Sequence, residues 1–414
     1  MHPATLAGVL FLRRDALLRA FHSRWSLIIG AILVFSAGIA RNYDGEDLLA
    51  QPWWLAAPFG ASLVTSFLLW VCFAIWAKPI RFSDYFGFLG VYWLTAPLAW
   101  LYGVPYERFF TPVEAVNANA WTLMVVSLWR VLIVARLFEV LYGIHLVRTL
   151  MFTLAFGCVT VFVATLITPR PVLDIMGGMR LPPEDRALAG LAFTTGFFSL
   201  IGSVILGLAA LTAIPKRPEQ QRTPSPPPLT DAAQPPTRPT ALLIAAAIAI
   251  IAWTPLLLVN QPLQRNRREA ELAFKRADYA ALITAVSRHQ PRDYPPNWRL
   301  PGSHLPSYSC AEFLADLLPH IDTSTPSWVR ERYLDMARDS VLFFAPYKDA
   351  NEWAKWTLES PEMFDGYNAD NPSKLVLRWL IDNDPTLTDE QREGLRKIKL
   401  PAPRTPASHP QPHP

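Results

Sequence analysis

The feature that most limits what this chain can fold into is a succession of long apolar blocks separated by short basic loops. A bilayer core about 30 Å thick takes roughly 20 apolar residues per crossing helix, because a helix rises about 1.5 Å per residue and must satisfy its own backbone in hydrocarbon. About seven blocks approach or meet that length: residues 25–40, 53–77, 85–103, 118–142, 149–167, 187–214 and 241–259. The first is short and bounded by Arg24 and Arg41, so it crosses only if both guanidinium groups reach the headgroups along their aliphatic stems. The expected fold is all-α: a polytopic transmembrane helix bundle of about seven spans followed by a soluble helical C-terminal domain.

Composition agrees with that placement. Charged residues are 17% of the 414, against about 25% in an ordinary soluble chain. The net charge of +4 is small, and the Lys and Arg residues sit between apolar blocks instead of forming one basic face, so nucleic acid is not an expected partner. Three cysteines make no disulfide framework; Cys72 and Cys158 lie inside apolar blocks, and Cys310 stands alone in the C-terminal part. The eight histidines are scattered, with no HExxH or CxxC spacing, so no metal and no cofactor is expected. No GxSxG elbow, Walker loop or dinucleotide glycine pattern organises a catalytic centre. His304, Tyr308 and His320 are the nearest candidates for one, and packing or surface roles suit them better; Gly177-Gly178 reads as a turn.

The N-terminus does not have the order of a cleaved signal, since Arg13 and Arg14 follow its first apolar run instead of preceding it. Over residues 1–24, Leu6, Leu10, Leu17 and Phe21 share a helical face opposite a basic set, which predicts an amphipathic helix on the inner membrane surface. Basic residues are retained on the cytoplasmic side. With the N-terminus cytoplasmic, the inner loops hold more of them, Lys78, Arg81, Arg148, Lys216 and Arg217 included, than the outer loops with Arg41, Arg108, Arg170, Arg180 and Arg186. Seven crossings then place the C-terminal domain outside the cytoplasm of a bacterial inner membrane. Arg265, Arg267, Arg268, Lys275 and Arg276 argue the other way.

The expected organisation is a bundle of six spans over residues 25–214, a linker at 215–240, a seventh helix at 241–259, a soluble domain at 260–400 and a disordered tail at 401–414. The linker carries nine prolines, which favour extended polyproline II. Within residues 260–400, Ser309 with Glu312 and Thr388 with Gln391 have capping-box spacing, and Thr325-Pro326 opens a helix expected to reach about Phe344. Ala277-Asp278-Tyr279, followed by Ala281, Leu282 and Ala285, looks like half of a tetratricopeptide repeat, with no second copy at the required period.

Two groups of residues stand out chemically. Arg130, Arg136 and Glu139 lie within the fourth apolar block, where a central charge costs at least about 2.5 kcal/mol on insertion scales. Arg136 and Glu139 are spaced to meet on one face near the helix end. Arg130 lies deeper; an arginine keeps its proton, so it suits holding an anion or a carboxylate and not a proton relay. The loop after the first block places Asp44, Glu46 and Asp47 around Gly45, an acidic cluster without EF-hand length or spacing. Its expected roles are to set topology or cap the next helix.

The stretches SAGIARNYDGEDL and WLTAPLAWLYG, with SLWR further on, resemble an uncharacterised family of multi-pass bacterial membrane proteins. The resemblance covers mainly the first half of the chain; it implies membrane location and carries over no catalytic or binding residue. The expected function is a membrane scaffold or sensor that has the lipid bilayer around it and a protein partner on residues 260–400. A transporter or channel with an anion- or carboxylate-binding Arg130 is the first alternative, and a membrane enzyme acting on lipid or peptide the second.

Overall fold

The computed structural model describes residues 2–41, 45–77, 81–167, 183–212, 239–295, 298–303, 305, 307–341, 352–361, 371–398 and 400. Every regular element among them is a helix. The chain divides into two compact units, one within residues 1–261 and one within residues 262–414.

The first unit begins with α1 (Pro3–Leu10) and α2 (Arg14–His22), two short helices where the sequence predicts one. Leu12 breaks the run at φ +59°, and α1 folds back so closely that a Cβ on Gly8 would lie 2.5 Å from that of Ala16. Leu17 and Phe21 are buried in the core of this unit, so the apolar face of α2 is covered by protein. Next come α3 (Trp25–Ala40), a 3-10 turn at Pro52–Ala56 leading into α4 (Ala57–Ala77), and α5 (Tyr85–Trp93). They are followed by α6 (Pro112–Tyr142), α7 (Leu146–Ile167), α8 (Pro183–Thr212) and α9 (Thr240–Lys275), the last of which belongs to this unit up to Gln261. Helix α6 starts on a complete capping box between Thr111 and Glu114 and ends at Gly143, whose φ of +65° admits the left-handed turn that closes it. Rings from α4, α5 and α6 meet in the core: Phe73 and Phe138 stack with centroids 3.6 Å apart, and Phe88 lies 5.4 Å from Phe138.

Four described helices are long and apolar enough to cross a membrane: Pro52–Ala77, Leu146–Ile167, Ala187–Thr212 and Thr240–Lys275. The pair Arg14–His22 and Trp25–Ala40, bent by 99°, makes up to five. This corrects the expected seven. The block at 85–103 is not one helix: α5 stops at Trp93 and a 3-10 run continues from Ala96 to Gly103. Pro97 lacks the N–H an α-helix would need and its ring meets the carbonyl four residues back, so hydropathy continues where the helix cannot. The block at 118–142 lies inside α6, which carries Arg130, Arg136 and Glu139 and is not among the four. The helix expected over 241–259 runs on unbroken to Lys275, across the division of the two units at residues 261 and 262. The expected linker at 215–240 lies outside the described residues except for its last two, as do Gly177-Gly178 and the tail at 401–414.

The second unit contains α10 (Tyr279–Ser287), α11 (Ser307–Leu317), α12 (Ser327–Val341), α13 (Trp353–Glu359), α14 (Pro372–Asn383) and α15 (Asp389–Arg396). Helix α11 begins two residues before Ser309, so the expected cap there is inside the helix; the box between Thr388 and Gln391 forms as its spacing predicts. Asp278 caps α10. Helix α14 packs against both α11 and α12, and Tyr333, Trp353, Leu377 and Leu380 are buried between the helices. One charged group is wholly inside this core. The Asp384 carboxylate receives Nε and Nη2 of Arg338 at 2.8 and 2.7 Å, Nε1 of Trp353 at 3.0 Å, and the N–H and hydroxyl of Thr386 at 2.9 and 2.7 Å. Burial pushes its pKa upward, and these donors outweigh that and hold it down at about 2.

Candidate functional site

The break after α5 places the first part of the site. Where the helix gives way, the buried Thr95 donates its hydroxyl to the Tyr92 carbonyl at 2.7 Å, and that carbonyl also accepts the Thr95 N–H at 3.2 Å. That leaves a lone pair on Thr95 Oγ1, which accepts from Nε of Arg130 at 3.0 Å. The Arg130 guanidinium also lies over the Tyr92 ring, 5.4 Å from its centroid. One side of the cation is thus held by a hydroxyl and a ring. A guanidinium has five N–H donors. Among the described residues the one hydrogen bond from Arg130 is that to Thr95, and no carboxylate forms an ion pair with it.

Arg130 lines a cleft of about 240 Å³ in the first unit. Arg41, at the C-terminal end of α3, lines the same cleft, with its guanidinium 5.3 Å from the centroid of the Tyr102 ring. The room comes from small side chains: Ala37 and Gly38 on α3, Ala61 on α4, and Ala96 and Ala99 on the 3-10 run. Gly38 faces α4, where a Cβ would stand 3.4 Å from Pro58. Ser62 and Thr65 add hydroxyls to the α4 wall. Ser62 is fixed, since it accepts from Trp93 Nε1 and donates to the Phe59 carbonyl, both at 3.0 Å. Two guanidinium groups, the Tyr92 ring and the hydroxyls of Ser62 and Thr65 on an otherwise small, apolar lining suit the cleft to a negatively charged group.

Among the described residues, the others singled out by sequence do not line this cleft. Arg136 and Glu139 form an ion pair with each other along α6, and neither lines it. Asp44 lies outside the described residues. Glu46 enters through its backbone, its carbonyl accepting from Gln261 Nε2 at 3.1 Å, while Gln261 Oε1 accepts from the Leu49 N–H at 3.2 Å. Asp47 is buried and accepts from the Ala50 N–H at 3.1 Å, which makes it a turn-forming side chain. Among the described residues no three His, Cys, Asp or Glu side chains gather as metal ligands would. His304 and the Tyr308 side chain are outside the described residues, and His320 ends a short 3-10 helix.

Arg41 and Thr95 are the site residues that sequence reasoning missed. Arg41 reads as a flanking residue that marks a span end, and Thr95 as one polar residue in an apolar block. The available signal is Pro97: a proline ends the helix there, and a threonine just before it can bond its hydroxyl back to a carbonyl of the last turn. The chain matches no protein-family model, no curated protein and no solved structure, so the site stands on its geometry.

Proposed function

We propose that this chain is a membrane-embedded protein that binds an anionic group in the cleft between Arg41 and Arg130, the site of a transporter or of an anion-responsive membrane receptor. The observation that carries this reading is Arg130 itself. It is oriented by Thr95 and Tyr92, it has no carboxylate partner among the described residues, and it shares a cleft with a second arginine. An arginine on an apolar helix with no carboxylate partner among the described residues is a costly arrangement; an anion arriving there offsets that cost with charge-assisted hydrogen bonds. The pairing of Arg136 with Glu139 on the same helix shows the contrasting case of a charge already satisfied.

The test is a thermal-shift series on the full chain in a neutral detergent, with phosphatidylglycerol, inorganic phosphate and acetate as probes. A ligand that binds only the folded protein raises the midpoint in proportion to RT ln(1 + [L]/Kd). At least one anion is expected to stabilise the wild type and to lose its effect in Arg130→Gln, with Arg136→Gln responding as the wild type does. No stabilisation by any of the anions, or equal stabilisation in Arg130→Gln, overturns the proposal.

A further inference from the structure

We infer that the anion is the headgroup of an amphiphile, a phosphate-bearing lipid that enters the cleft sideways from the bilayer; this rests on the reading of the cleft as an anion site. The size of the cleft is the first argument. At about 240 Å³ it holds the volume of roughly eight waters, below the roughly 300 Å³ at which sites begin to enclose a whole drug-sized molecule. It has room for a phosphate ester and the first carbons attached to it, and the remainder of a larger ligand lies outside.

The second argument is what lies at its edge. The α4 wall is part of one of the four helices long and apolar enough to cross a membrane. Ala61, on that wall, is exposed, and Leu63, Val64, Phe67 and Leu68 on the same helix are 40%, 60%, 41% and 50% exposed. Val64 and Leu68 stand three and seven residues beyond Ala61, which on a helix puts them along the same side. An acyl chain leaving the cleft past Ala61 therefore meets apolar side chains that bundle packing leaves uncovered. A small water-soluble anion has no use for that surface. The cationic end with its apolar floor and apolar exit matches a molecule with a charged head and a hydrocarbon tail.

Native mass spectrometry of the full chain, released from a neutral detergent, separates the possibilities with three probes. These are phosphatidylglycerol, a diacylglycerol with the same chains, and glycerol phosphate. Phosphatidylglycerol is expected to bind at least about tenfold more tightly than either of the others, since it alone carries both the charge and the chains. Arg130→Gln is expected to weaken it by at least about tenfold. Val64→Gln with Leu68→Gln, which makes the exit face polar and leaves both arginines and the cleft lining in place, is expected to weaken phosphatidylglycerol and to spare glycerol phosphate. If glycerol phosphate binds as tightly as the lipid and both depend on Arg130, the lipid inference is overturned while the anion site stands. If no probe depends on Arg130, both are overturned. Should Arg130→Gln fail to fold, unchanged lipid binding in the Val64→Gln, Leu68→Gln variant still overturns the inference.

Discussion

Replacing Asp384 by asparagine leaves the Arg338 guanidinium charged in a buried site and removes the carboxylate that accepts two of its N–H groups. The side chains of Arg338 and Asp384 are 8% and 0% exposed, so little water replaces what is lost. Removing one member of a buried pair costs about 3–5 kcal/mol. Asp335 remains bonded to Arg338 at 3.0 Å, but it is 58% exposed and compensates by less than about 1 kcal/mol. Asparagine also keeps an acceptor for the Thr386 N–H. The loss therefore falls near the lower end, about 3 kcal/mol, or more than about a hundredfold in the opening equilibrium of the second unit. Hydrogen exchange of the full chain in detergent, read in peptides from residues 372–396, measures this directly.

The pH dependence gives the same pair a second signature. Because the folded carboxyl is held at about 2 and an ordinary one titrates near 3.8, its contribution is complete above about pH 4 and is lost as the pH falls toward 2. The full effect is about 2 kcal/mol, and at pH 3 protection corrected for intrinsic exchange falls about sixfold in the wild type. That part of the fall is absent in Asp384→Asn. Protection equal to wild type within about threefold at pH 7, or an identical pH profile in both proteins, refutes the clamp.

Gly302→Ala destabilises the second unit by about 2 kcal/mol or more, because φ is +92° there and a Cβ would fall 2.1 Å from a Phe313 ring carbon; unfolding midpoints of wild type and variant check it. Burial first, and then Asp339, push the Cys310 thiol up to about 12, so iodoacetamide at pH 8 labels it only after denaturant is added, as followed by mass spectrometry. Ser408→Cys in a background lacking Cys72, Cys158 and Cys310 reports topology through a membrane-impermeant thiol reagent in intact cells. An N-terminus in the cytoplasm with five crossings predicts labelling, and four crossings predict none.

What the sequence made legible was local. The box at Thr388 and Gln391 lies within one helical turn, and the long blocks at 149–167 and 187–214 need only their own composition to be recognised as helices. The expected cap at Ser309 has the same spacing as the one at Thr388, yet the helix already begins at Ser307, so spacing without the flanking backbone is not enough. The split of residues 85–103 turned on Pro97, whose missing donor leaves hydropathy unaffected. The break between α1 and α2 depends on a close approach of Gly8 to Ala16, which no periodicity encodes. Arg130 was visible as an anomaly because a charge in an apolar block is one. Its convergence with Arg41 was not, since the two belong to distant helices and only packing brings them to one cleft.

The most direct test of the anion site is the dissociation constant of phosphatidylglycerol for the full chain in nanodiscs of otherwise neutral lipid, compared among wild type, Arg130→Gln, Arg41→Gln and Arg136→Gln. The two cleft variants are expected to bind at least about tenfold more weakly, each having lost charge-assisted hydrogen bonds, while Arg136→Gln keeps the wild-type value because its partner is Glu139. Indistinguishable constants in all four proteins would contradict the assignment of this cleft as the binding site.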